Sequence, residues 1–147
     1  MSNKNIYEVF DAFRKCKTKA ERIDVLRKND SYALRNVLYG TMNPNVLFLK
    51  EIPEFKSEEV PVGMSYTTMN EALHKAYLFQ EGNPRKPAGL TPKRQQELLI
   101  QLLEGLEQKE ADVYVGMLKK NLNIPYLTQV LVNEAFPDLF GKSQQAG

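Results

Sequence analysis

Apolar residues recur along the chain at spacings of three and four, interrupted at short intervals by capping and turn signals. Ile6, Val9, Phe10 and Phe13 share one face of a helix predicted from about Lys4 to Lys15. Thr18-Lys19-Ala20-Glu21 has capping-box spacing. The Thr18 hydroxyl can accept from the Glu21 amide while the Glu21 carboxylate accepts from the Thr18 amide. This opens a second helix with Ile23, Val25 and Leu26 on its inner face. A third helix follows Asp30 or Ser31, buries Leu34, Val37 and Leu38, and ends at Gly40 as its C′ residue. Asn43-Pro44 starts a short element over 45–49, with proline pre-set for a first turn.

The period is lost over 50–66. Glu51, Glu54, Glu58 and Glu59 are mixed with Pro53, Pro61 and Gly63, which reads as an extended acidic loop anchored by Phe55, Val60 and Val62. Thr67 or Thr68 caps the next helix, which carries Met69, Leu73, Ala76, Tyr77 and Gln80 and stops before Gly82-Asn83-Pro84. After the basic loop Arg85–Gly89, Thr91-Pro92 supplies an N-cap followed by proline at the first helical position. The helix Lys93–Leu106 is lined by Leu98, Leu99, Leu102, Leu103 and Leu106, and another spans about Lys109–Lys119 with Val113, Met117 and Leu118 inward. A turn over Asn121–Pro125 leads to a last helix, Leu127–Ala135, closed by Phe136-Pro137.

The expected class is therefore all-α, a compact bundle of about six to eight short helices with one longer acidic loop. A length of 147 residues, 42% of them hydrophobic, suits a single domain over 1–141, with 142–147 a polar, frayed tail. The first apolar residues are interleaved with Glu8 and Asp11, unlike the unbroken run of a secretory leader, and no stretch approaches the roughly 20 apolar residues of a membrane span. One cysteine excludes an internal disulfide and suits a reducing interior. These points lead to the expectation of a cytoplasmic protein, no membrane partner and, because the apolar faces match one core, a monomer.

Chemistry for an enzyme is sparse. A catalytic constellation needs a nucleophile, a base and an orienting group within reach of one another. The single histidine, His74, lies in a helix, where a surface or half-buried role is the ordinary one. Cys16 sits among Arg14, Lys15 and Lys17, which favours a thiolate, yet no base accompanies it. No calcium loop, phosphate-binding glycine loop or dinucleotide fingerprint occurs. The expectation is a non-enzymatic protein without cofactor or metal.

Charge changes the picture a little. The net value is only +2, but residues 1–40 carry nine Lys/Arg against five acids, residues 41–81 three against six, and residues 82–147 eight against seven. Lys17, Lys19 and Arg22 cluster at the first inter-helix turn, Arg85, Lys86, Lys93 and Arg94 around the entry to the Thr91-capped helix, and Lys119 and Lys120 at a later turn. Cations near helix C-termini ordinarily answer the macrodipole, which covers Lys119 and Lys120. Lys93 and Arg94 are in a first turn, where cations are disfavoured, and that placement points to an anionic partner. These ten positions, Thr91 included as a phosphate seat, are the candidate DNA phosphate-binding residues.

The order of elements resembles the N-terminal DNA-binding domain of ATP-dependent DNA ligases, especially the compact form in T-even-type bacteriophages. The likeness is carried by Ile6–Phe10 with Thr18–Leu26, by Leu34–Pro44, and by Leu98–Leu103 through Val113–Leu122 to Val132–Phe140. It also extends to small proteins of T-even-like phages. The resemblance implies an all-α fold that contacts duplex DNA through its backbone and minor groove without reading bases, in a viral protein working in an infected bacterial cell. Lys119, Lys120 and Asn121 fall where the ligase domain has a basic turn, but Asn123-Ile124-Pro125 stands where Arg and Gly are usual, removing flexible backbone. No Lys-x-Asp-Gly adenylation motif occurs, so joining DNA ends is not expected. The leading expectation is a sequence-independent binder of double-stranded DNA. The alternative is an adaptor or inhibitor acting on a host or viral replication, repair or transcription protein through Glu51, Glu54, Phe55, Glu58 and Glu59, with Phe55 as an exposed anchor.

Overall fold

A computed structural model describes residues 5–56, 65 and 67–140. The expected anchors Val60 and Val62, the acidic positions Glu58 and Glu59, and the tail over 142–147 lie outside these residues. The fold is all-α: α1 (Ile6–Lys15), α2 (Lys19–Lys28), α3 (Tyr32–Met42), α4 (Met69–His74), α5 (Pro92–Gly105), α6 (Gln108–Leu118) and α7 (Gln129–Ala135), with a 3-10 turn at Ala76–Phe79.

Local signals set most helix starts. The hydroxyls of Thr18, Ser31, Thr68, Thr91 and Thr128 each accept from the backbone amide three residues on. Glu21 and Glu71 return the second bond of a capping box. Glu8 does the same for α1, accepting from the Asn5 amide at 3.0 Å. At α6 the cap is a carboxylate, Glu107, which accepts from the Lys109 and Glu110 amides.

The apolar stripes close on one core. α3 lies against α6, α2 against α7, α1 against both α2 and α6, and α4 against α3. Phe10, Phe13, Leu26, Leu34, Leu38, Phe79, Leu99 and Leu103 are fully buried at its centre. Tyr114 is buried with them, and its hydroxyl donates to the Ala72 carbonyl at 2.8 Å. That bond satisfies the one polar atom of a side chain otherwise well suited to a core.

Four elements differ from expectation. Gly40 does not end α3; the helix continues to Met42, and Gly40 is a point of close approach. A Cβ there would meet Met117 Sδ at 2.9 Å, so a glycine lets α3 and α6 touch. The segment after Pro44 is extended rather than helical. Phe48 pairs with Gln80 in an isolated antiparallel bridge, flanked by Leu49 N to Phe79 O at 2.9 Å and Glu81 N to Leu47 O at 2.7 Å. The helix expected to run to Gln80 stops at His74 and tightens into the 3-10 turn, which delivers the Phe79 and Gln80 backbone to that bridge. On α2 only Leu26 is buried, whereas Ile23 and Val25 lie half-buried at the edge of the core.

Candidate nucleic-acid interface

At the turn between α1 and α2 the basic residues are answered from within the chain. Lys19 Nζ lies 2.8 Å from Glu134 Oε1 on α7. The Arg22 guanidinium stacks over the Tyr126 ring at 4.0 Å and donates to the Cys16 carbonyl. Glu21 occupies the middle of the turn, its pKa held down by the backbone amides of Lys17 and Thr18. Of the three nominated cations here, only the ammonium of Lys17 has no partner among the described residues. The same turn corrects the expectation for Cys16. Burial, then the Glu21 carboxylate, push the thiol pKa up, and Sγ donates to the Ala12 carbonyl at 3.4 Å. The neighbouring lysines do not make it a thiolate.

The start of α5 is different. Thr91 accepts from the Arg94 amide at 3.1 Å and Pro92 has no N–H, so among the described residues only the Lys93 amide of this first turn is left without a partner. Lys93 and Arg94 are exposed, and no acidic residue lies in this first turn, as in α3 and α7 and unlike α1, α2, α4 and α6, which each carry a glutamate there. Arg94 makes one solvent-exposed pair with Glu97 at 3.3 Å, and Lys93 has none among the described residues. Gln95 Nε2 donates to the Leu78 carbonyl at 2.8 Å and docks this helix end on the 3-10 turn. Arg85 lies in the loop that precedes α5, its guanidinium 4.5 Å from the centre of the Tyr77 ring, with Lys86 half-buried next to it in sequence.

Lys120 leaves the candidate set. Its Nζ donates to the carbonyls of Gly40 at 2.9 Å, Asn43 at 2.7 Å and Val46 at 2.6 Å. An ammonium has three protons, and all three are used, leaving none for a phosphate. Burial also pulls its pKa below the usual lysine range. Its exposed neighbour Lys119 borders a shallow cavity with Leu47, Lys50 and Glu81. The expectation that losing glycine stiffens this turn is likewise corrected in part: Lys120, Asn123 and Tyr126 take φ of 59°, 58° and 69°, so left-handed backbone is present without glycine.

Sequence reasoning missed an aromatic groove beside Arg85. Tyr32, Asn36 and Tyr39 follow one another at i, i+4 and i+7 on α3, on the side away from the Leu34, Val37 and Leu38 stripe. They line a cleft of about 230 Å³ together with His74, Tyr77, Gln80, Asn83 and Arg85, with Phe48 and Met117 also in its lining. Tyr32 stacks on His74 with ring centres 4.8 Å apart, and Tyr39 on Phe140 at 6.2 Å. His74 Nδ1 lies 2.8 Å from the Asn70 carbonyl, which requires a proton on Nδ1 and leaves Nε2 as the other end of the ring. The signal was legible: a tyrosine, an amide and a tyrosine at helical spacing on the face opposite the core.

In the acidic loop Phe55 ties the chain to the core, as expected of a loop anchor, and is not the exposed contact of the adaptor reading. Phe55 is half-buried and packs against the core, while Glu51 and Glu54 are exposed. Gln96 Nε2 donates to the Glu51 carbonyl, which ties the loop's first part to α5. A second group of carboxylates gathers at the start of α6. Burial, then Glu107, push the pKa values of Glu110 and Asp112 up. Among the described residues no group of three His, Cys, Asp or Glu is arranged to hold a metal ion, and no helix is long and apolar enough to cross a membrane.

The chain belongs to a family of unknown function (DUF6433), whose match covers residues 9–124, from α1 to the turn after α6. No curated protein matches it.

Proposed function

We propose that this member of the family is a non-catalytic, sequence-independent binder of double-stranded DNA that holds the phosphate backbone at the start of α5. The observation that carries the reading is the pairing of Lys93 and Arg94 with a first helical turn that has no acidic residue. A helix N-terminus is already the positive end of the dipole, so two more cations there cost stability unless an anion sits among them. Arg85, Lys86 and Thr91 extend the same end, and exposed Lys17 and Lys119 are further candidates for outlying phosphates. The likeness of helix order to the DNA ligase N-terminal domain supports duplex contact, and it is also what supports a phage origin and an infected bacterial cell as the place of action.

The test is titration of a mixed-sequence duplex at about 50 and 200 mM salt, because each phosphate contact releases counterions and steepens the salt dependence. Binding that weakens steeply with salt, and a shallower slope in the Lys93→Gln, Arg94→Gln double variant, is the expected outcome. Undetectable binding at the lower salt, or a double variant that titrates like the parent, removes the proposal.

A further inference from the structure

We infer that the groove between α3 and the Arg85 loop takes an unpaired nucleotide, base against the tyrosines of α3 and phosphate at Arg85. The protein then prefers duplex ends or junctions bearing single strand to uninterrupted duplex. This rests on the reading above that the ligand is nucleic acid, and it adds which form of it is bound.

Charge is the first argument. None of the residues lining the groove is acidic, and its one formal cation is Arg85. The ligand it complements is an anion with apolar faces. Ring content is the second. Tyr32 and Tyr39 are 42% and 39% exposed, and with Tyr77 they put three phenol rings on one cleft. Single exposed aromatics are ordinary, but a cluster of them around a cleft is not. Stacking on aromatic faces is how unpaired bases are held without sequence preference.

The rings are also braced. His74 backs Tyr32 and is itself fixed by the Asn70 carbonyl; Phe140 backs Tyr39. Little side-chain freedom is then left to lose on binding. Arg85 lies on Tyr77, which occupies the face of the guanidinium and leaves its in-plane N–H groups for phosphate oxygens. Asn83 Nδ2 donates to Gln80 Oε1 at 3.0 Å and Asn83 Oδ1 accepts from the Arg85 amide at 2.8 Å, which fixes both side chains and leaves the Gln80 Nε2 donors for a base edge.

The experiment uses the full chain and three probes: a blunt duplex, the same duplex with a single-stranded overhang of about eight thymidines, and the free oligothymidine, a length within the usual footprint of one small domain. The overhang should tighten binding about tenfold, the scale of one or two stacked bases. Tyr32→Leu and Tyr39→Leu, each checked for an unchanged melting temperature, should abolish that preference and leave blunt-duplex affinity as it was. Equal binding of blunt and overhung duplex, or a preference that survives both substitutions, overturns the inference while the duplex reading stands. Oligothymidine bound through Tyr39 with no binding of the blunt duplex upholds the inference and overturns the duplex reading. Tyrosine variants that bind every probe like the parent, as expected if the groove instead seats a protein segment, overturn the inference as well.

Discussion

Two pairs of adjacent cations mark opposite ends of the two helices α5 and α6, and the fold treats them in opposite ways. Lys119 and Lys120 follow the C-terminus of α6, where a positive charge is favoured by that helix's own dipole. Yet Lys120 serves another helix: its three bonds go to Gly40 in the last turn of α3 and to Asn43 and Val46 just beyond the helix. Lys93 and Arg94 open α5, where the dipole disfavours them, and among the described residues nothing but the exposed Glu97 answers either. Lys120 is explained by the interior, and Lys93 and Arg94 are not. The difference separates a lysine needed for folding from cations whose use lies outside the chain.

The comparison is broken most directly at Lys120. In Lys120→Met three carbonyls lose a charged donor, and denaturant unfolding should show a loss of about 3 kcal/mol, whereas Lys93→Met should be neutral or gain a few tenths. Equal losses at the two sites would dissolve the contrast. Next in size is Gly40→Val, which overpacks the α3–α6 contact against Met117 and Phe48 and should cost about 2 kcal/mol by thermal melting.

A smaller effect of opposite sign is expected at Glu110, where burial and Glu107 hold the folded pKa above the unfolded one. The protonated form therefore favours folding, and that contribution is present below the unfolded pKa and lost as pH rises through the folded one. Glu110→Gln should accordingly stabilise the protein at pH 7 by about 1 kcal/mol, with the gain closing as pH falls through the carboxylate range. Asp30 runs the other way. The Arg35 hydrogen bond lowers its pKa, so its contribution is present above the unfolded pKa and lost as pH falls through the folded one. Asp30→Asn should then have its effect at neutral pH and little in acid. The smallest change is Lys93→Gln, within about 0.5 kcal/mol of the parent in stability, with its consequence confined to the salt dependence of DNA binding.

Helix positions were legible because they depend on neighbours in sequence: Thr18 with Glu21, Thr68 with Glu71, and Thr91 with Pro92 are local devices. Gly40 misled because a glycine after an apolar stripe ordinarily marks a helix end, whereas here the reason for it is Met117, far along the chain. The same holds for the site. That Lys93 and Arg94 stand at a helix start could be read from the chain, but that Lys19, Arg22 and Lys120 are taken by Glu134, Tyr126 and the α3 carbonyls depends on tertiary neighbours. The groove fell between the two cases, with Tyr32 and Tyr39 visible as a stripe and His74, Tyr77 and Arg85 placed opposite only by the fold.

Lys120 has a kinetic side too. Its three bonds join parts of the chain 74 to 80 residues apart, and a loop of that length must close before any of them can form. Contacts of this kind form after the helices and their nearer neighbours have met. Removing the ammonium should therefore leave the rate of folding almost unchanged and hasten unfolding. Lys120 acts as a latch, and what it chiefly sets is how long the folded protein lasts between openings.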